Sequence, residues 1–196
     1  MNTPLIVGIT GGIGGGKSTL SAVLRDRGYY VYDTDTEARE LQNTDSLIRE
    51  KLIELFGDDI YTSDELDRKK LAAIVFNNPD KLAQLNKVVH PAVRKRFEDW
   101  MVKHRSEKVL FVESAIMFET GLAGKMDKVV VVTAPEHVRI DRVMKRDGVS
   151  EDEVRARIAR QMPEDEKVKK ADIVLSSDGE NVLSNNVERL LDELQV

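Results

Sequence analysis

A doubly wound α/β domain with a parallel sheet is the fold this sequence predicts, and three observations predict it. Five short apolar runs, "PLIVGIT", "YYVYD", "KVLFVES", "DKVVVVT" and "ADIVL", are rich in β-branched and aromatic residues and end in polar or turn residues. Such near-continuous hydrophobic runs are the pattern of parallel strands buried on both faces. Amphipathic helical patterns lie between them, and strands alternating with helices build this class of domain. A glycine-rich stretch joins the first strand to the first helix.

That stretch, "GITGGIGGGKST" from Gly8 to Thr19, holds six glycines in twelve residues. Glycine loses more backbone freedom on folding than any other residue, so ordering such a segment needs a return. Gly11-Gly12-Ile13-Gly14-Gly15-Gly16-Lys17-Ser18, followed by Thr19, fits G-x-x-x-x-G-K-[ST] without a gap. The strand "LIVGIT" precedes it and the helical "STLSAVLRDR", Ser18 to Arg27, follows it, which is the context the motif requires. In that geometry backbone N–H groups cradle phosphates and the helix N-terminus adds its positive dipole end. Lys17 is expected to reach the β- and γ-phosphates of ATP, and the Ser18 hydroxyl to ligate Mg²⁺. No structural partner for the Lys17 ammonium is evident in the sequence.

The second strand ends in "YYVYDTDTEAR". Asp33 falls at the strand end and Asp35 at the start of a helix. A kinase acting on an alcohol uses one carboxylate near the metal and another to orient or deprotonate the attacking hydroxyl. The competing reading is local, because Thr34-Asp35-Thr36-Glu37 also matches a capping box.

An insertion follows, from about Asp45 to Arg105, and its pattern is wholly helical. Leu47, Ile48, Leu52, Leu55 and Phe56 recur at helix spacing, as do Leu71, Ile74, Val75 and Leu82. His90-Pro91 interrupts this lobe, with Pro91 suited to a helix's first turn. Insertions between sheet strands serve ligands at the carboxyl ends of those strands. The third strand, "VLFVE", ends in Glu113, a second candidate for the metal in place of Asp33.

Pro135 to Arg146 and Glu180 to Leu194 read as the remaining core helices. Arginines 142, 146, 155, 157 and 160 mark the region between them. Phosphoryl transfer uses mobile positive charge that closes over the transferred group. A solvated helix with Glu–Arg pairs explains most of these arginines, but Arg146 ends a helix just before Gly148, at the hinge of a lid. The expected division is therefore a core of 1–44, 106–147 and 171–196, a helical lobe of 45–105 and a lid of 148–170.

The bulk composition bounds the function. The chain has 196 residues, is 41% hydrophobic and 33% charged, and carries a net charge of -5. That balance disfavours a duplex nucleic-acid binder, which needs a basic face against the phosphates. With no cysteine, disulfides, thiolate catalysis and Cys-based zinc sites are excluded. "MNTPLIVGITGG" lacks a basic n-region, and no run approaches the ~20 apolar residues of a membrane span. A cytoplasmic enzyme without nucleic-acid or membrane partners is expected; protein partners are not legible.

Taken together, the ordered set of motifs resembles the dephospho-CoA kinase family from Leu5 to the C-terminal helix. It comprises "GITGGIGGGKST", the Asp33-x-Asp35 pair, "LDRKKLAAIVF", "VVHP", "MFETGL", "RVMKRDGVS", "RIARQM" and "ADIVLSSDG". The resemblance implies a P-loop kinase core, a CoA-binding helical lobe and a lid. It also implies transfer of the γ-phosphate of ATP to the ribose 3′-hydroxyl of dephospho-CoA, with Mg²⁺. Asp35 resembles the family's catalytic base and Asp33 its partner near Mg²⁺. His90 and Pro91 match the His-Pro of the CoA lobe, while Arg68, Phe118 and Glu119 fall in acceptor-binding segments. Arg146 matches a lid arginine near the phosphates, and Arg157 and Gln161 belong to the lid on the acceptor's side. The chain departs from the family in reading Ala115-Ile116-Met117 where Pro-Leu-Leu is usual, Gly15 for a frequent Ser, and Ser177 for a common Asn. A P-loop kinase for another small alcohol or nucleotide shares the bottom-up features, and a GTPase-type switch lacks its Asn-Lys-x-Asp signature here.

Overall fold

The computed structural model describes residues 3–63, 65–75, 78–178 and 182–196. In chain order the elements are β1 (Leu5–Thr10), α1 (Lys17–Asp26), β2 (Val31–Asp33), α2 (Thr34–Thr44) and α3 (Ser46–Phe56). A short hairpin follows, β3 (Tyr61–Thr62) and β4 (Glu65–Leu66), then α4 (Arg68–Val75) and α5 (Pro79–Lys103). The chain continues through β5 (Val109–Glu113), β6 (Lys128–Thr133), α6 (Glu136–Asp147), α7 (Glu151–Ile158), α8 (Glu164–Lys170), β7 (Ile173–Ser176) and α9 (Val182–Leu194). Glu180, the expected first residue of the last helix, lies outside the described residues.

Five strands form one parallel sheet in the order β2-β5-β1-β6-β7. The predicted α/β class is the observed one. Every residue of β5 is buried, as expected of a strand covered on both faces. Leu20 and Leu24, one turn apart on α1, pack with Val7, Ile9, Phe111 and Val132 of the sheet and Val187 and Leu190 of α9. Register places Asp33 of β2 directly beside Glu113 of β5, so the two carboxylates leave the sheet at the same edge.

The chain divides into two compact units, one of Met1–Asp33 with His104–Val196 and one of Thr34–Lys103. The second has its own apolar core of Leu41, Ile48, Leu52, Phe56, Ile60, Leu66, Leu71, Val75 and Val89. Its boundary differs from the 45–105 lobe read from the sequence, because Leu41 of α2 packs into this core. Asp45 caps α3 by accepting from Leu47 N (2.9 Å) and Ile48 N (3.0 Å), which is why that helix starts where it does.

Two expectations for this unit need correction, the absence of strands and a helix break at His90-Pro91. It is not wholly helical: Tyr61–Thr62 pairs antiparallel with Glu65–Leu66, strands too short to leave a period-2 signal. Leu47, Leu55 and Leu82 match the helical spacing but are exposed, while Ile48, Leu52 and Phe56 carry the buried face. His90-Pro91 does not interrupt a helix, since α5 runs through Pro91. Pro91 lacks the N–H that would bond the Lys87 carbonyl, but both residues are exposed, so water can take that carbonyl.

Candidate phosphate-binding site

β1 delivers the chain to Gly11, and α1 begins at Lys17. The loop between them turns back on itself through Gly15 N–H to Gly12 O, 3.0 Å. Gly14 has φ 78°, and a Cβ there would sit 2.4 Å from the Arg139 carbonyl oxygen. Gly16 has φ 100° and caps α1 without any side-chain hydrogen bond. As N-cap, Gly16 offers no side chain to the first N–H groups of α1, the end of a helix that suits an anion. Gly14→Ala would combine left-handed strain with a backbone clash, a destabilisation of about 2–4 kcal/mol. A thermal melt of that variant checks this: a melting temperature within a degree of the unmodified protein's would contradict it.

Lys17 is nearly buried, with its residue 9% exposed. Its Nζ donates to Gly11 O at 2.8 Å and Gly12 O at 3.2 Å. The ammonium therefore has structural partners that the sequence did not reveal. Ser18 Oγ donates to Glu113 Oε1 at 3.0 Å, and Glu113 is the register neighbour of Asp33. Hydroxyl, glutamate and aspartate thus gather at the ends of α1, β5 and β2.

A second layer holds the loop from below. Ser177 Oγ donates to Gly15 O at 2.7 Å, and Arg142 donates to Ser177 Oγ (2.8 Å), Ser177 O (2.7 Å) and Gly14 O (3.3 Å). Arg139, 5% exposed, donates to Ala134 O at 3.1 Å and pairs with Glu164 at 3.5 Å. Sequence reading missed Arg139 and Glu164 and counted Arg142 among solvated-helix arginines. The available signal was α6's pattern of arginines on the buried, loop-facing side at 139 and 142, three residues apart.

The segment after α7 also reaches the loop. Gly12 N–H donates to Glu164 Oε2 at 2.9 Å and Ile13 N–H to Gln161 Oε1 at 3.0 Å. A cavity of about 340 Å³ opens here, lined by Gly12, Arg139, Ile158, Gln161, Met162 and Glu164 among others. On α8, Lys167 is fully buried and donates to Ala115 O (2.8 Å) and Glu119 Oε1 (3.0 Å). Glu119 also accepts from Met162 N–H at 2.9 Å. Burial works against ionising Glu119, but these bonds and the Lys167 charge outweigh it and hold its carboxyl below the ordinary value. Phe118, its neighbour, is half-buried.

The predicted lid arginines meet each other's partner instead of the loop. Arg146 donates to Asp147 at 2.7 and 3.1 Å, and Arg157 to the same carboxylate at 2.9 Å. Gly148, with φ 65°, ends α6 just beyond them by donating to Met144 O at 2.9 Å. Ser150 and Glu153 form the capping box that starts α7.

Within the helical unit, α2 begins at Thr34, directly after β2, so Asp35 stands exposed in its first turn. Glu37 pairs with Arg96 of α5 at 2.7 Å. Arg68 opens α4; burial, then the charge of Arg39, lowers its pKa. Burial and the Arg94 charge lower that of His90, which favours a neutral imidazole at pH 7. His90, Pro91, Lys87 and Arg94 share one open face of α5.

No helix among the described residues is long and apolar enough to cross a membrane. The family profile described as "Dephospho-CoA kinase" matches residues 5–182. The chain is 42% identical over 179 residues to the dephospho-CoA kinase of Bacillus thuringiensis subsp. konkukian, covering 89% of each. A crystal structure of a protein from Thermus thermophilus superposes with a TM-score of 0.87 at 39% identity, covering 98% of this chain and 99% of the other. The dephospho-CoA kinase of Campylobacter jejuni superposes with a TM-score of 0.71 at 28% identity, covering 96% of each.

Proposed function

The chain belongs to the dephospho-CoA kinase family, and on that premise we propose that it transfers the γ-phosphate of ATP to the ribose 3′-hydroxyl of dephospho-CoA. The products are coenzyme A and ADP. The observation that carries the reading is the glycine loop: it leads through Gly16, an N-cap that makes no side-chain hydrogen bond, into α1, with Lys17 Nζ folded back onto Gly11 O and Gly12 O.

The donors at Ser18, Asp33 and Glu113 suit Mg²⁺, which takes hard oxygen ligands and needs only one or two from protein when phosphates supply others. Ser18 and Asp33 would hold the ion, with Glu113 fixing the Ser18 hydroxyl at 3.0 Å. When bound there it neutralises charge on the β- and γ-phosphate oxygens.

Gly11 to Thr19 form the phosphate loop, whose backbone N–H groups other than those of Gly12, Ile13 and Gly15, which donate within the protein, would meet the phosphates, and Lys17 bridges the β- and γ-phosphates. Asp35 accepts the proton of the attacking 3′-hydroxyl. Arg146 leaves Asp147 to meet the transferred phosphoryl group, an exchange of one anion for another that the exposed pair permits. Arg68, His90, Pro91, Phe118, Glu119 and Arg157 bind dephospho-CoA. The chain is organised as core, acceptor lobe and lid, works in the cytoplasm, and has small molecules rather than nucleic acid as partners.

The test is ADP release measured across a panel of acceptors. Dephospho-CoA is expected to support turnover, and intact CoA is not, because its 3′-hydroxyl is already occupied. Equal or faster release with shikimate, gluconate or a nucleoside monophosphate contradicts the assignment.

A further inference from the structure

The peptide groups 11–12 and 12–13 are each held from both sides. A trans peptide points its C=O and N–H in opposite directions, so one plane can be gripped at each end. The Gly11 and Gly12 carbonyls both accept from Lys17 Nζ, at 2.8 and 3.2 Å. The N–H groups of the same two planes, those of Gly12 and Ile13, donate to Glu164 at 2.9 Å and Gln161 at 3.0 Å. The Glu164 side chain is only 18% exposed and is fixed in turn by Arg139 at 3.5 Å. Lys167, one turn further along α8, secures that helix to Ala115 O and Glu119.

We propose that Gln161 and Glu164 are positioning residues for Lys17: they clamp the two peptide planes whose carbonyls hold its ammonium. This rests on the reading of the loop as the nucleotide site. It assigns Gln161 to the nucleotide side, whereas the resemblance placed it with the acceptor. Four hydrogen bonds then converge on two glycine-rich peptides that would otherwise rotate freely. Hydrogen bonding to a carboxylate is stronger than to a neutral amide, so Glu164 is the firmer of the two clamps. A clamp of this kind changes nothing about substrate contacts except through where Lys17 stands.

That dependence gives the test. Dissociation constants for Mg-ADP are measured by calorimetry for the unmodified protein, Glu164→Ala, Gln161→Ala, Lys17→Met and the two combinations with Lys17→Met. Glu164→Ala is expected to weaken ADP about tenfold. Gln161→Ala is expected to weaken it severalfold, with KM for dephospho-CoA unchanged within about twofold. Glu164→Gln, which keeps an oxygen for Gly12 N–H, recovers most of the loss. In the Lys17→Met background both losses shrink below about twofold, because a residue acting through Lys17 has nothing left to position. Equal losses in both backgrounds, or a Gln161→Ala effect confined to dephospho-CoA, overturn the proposal. Gln161→Ala serves alone if Glu164→Ala, which strands Arg139, does not fold. Should Lys17→Met itself leave ADP affinity untouched, it is the nucleotide-site reading that fails instead.

Discussion

Turnover falls by a factor on the order of 10³ when Lys17 is replaced by Met, the scale of losing a major electrostatic element in phosphoryl transfer. Met keeps the length and apolar stem but carries no charge to place between the β- and γ-phosphates. The same ammonium bonds Gly11 O and Gly12 O, so the variant also loses about 1–3 kcal/mol of stability. The rate loss is far larger than such a shift produces in a protein that remains folded at assay temperature. Rate and melting temperature measured on the same preparation separate the two. A variant that melts early yet turns over normally would mean that Lys17 holds the loop and nothing more.

Asp35→Asn lowers kcat by about 10²–10⁴, the contribution of a general base, with KM for ATP near that of the unmodified protein. Asn keeps the size of the side chain and can serve the first turn of α2, but it cannot take a proton. Asp33→Asn instead raises the Mg²⁺ concentration needed for half-maximal rate, since its strand end lies beside Glu113 and Ser18's partner is Glu113. A purely structural Asp35 predicts near silence in rate and stability. A normal rate for Asp35→Asn would retire the base and leave catalysis to the loop, Mg²⁺ and charge.

What the sequence carried of this site was its local chemistry. The glycines of the loop are legible because positive φ at Gly14 and Gly16 excludes other residues at fixed spacing. Asp33 and Glu113 are legible as strand-end acids, and parallel register does the rest. Gln161 and Glu164 lie 148 and 152 residues from the peptides they hold, and nothing local marks such a contact. Lys167 was hidden for the same reason, in a charged segment whose average reads as solvated although this one side chain is fully buried. Arg146 and Arg157 carried a strong signal for phosphate, yet here they share Asp147, because a mobile cation takes whichever anion is nearest. The hairpin of Tyr61–Thr62 and Glu65–Leu66 and the unbroken α5 escaped because two-residue strands have no period and because the buried face of α5, Val89 and Phe97, outweighs the cost of an internal proline.

The site of phosphorylation on the product is the most direct measurement of the account. After incubation of the protein with Mg-ATP and dephospho-CoA, ³¹P NMR of the purified product reports which oxygen carries the new monoester. The account predicts one new monoester phosphorus coupled to the ribose H3′ proton, formed in equal amount with ADP. ADP formed without that monoester, or a monoester coupled to any other proton of the acceptor, would contradict it.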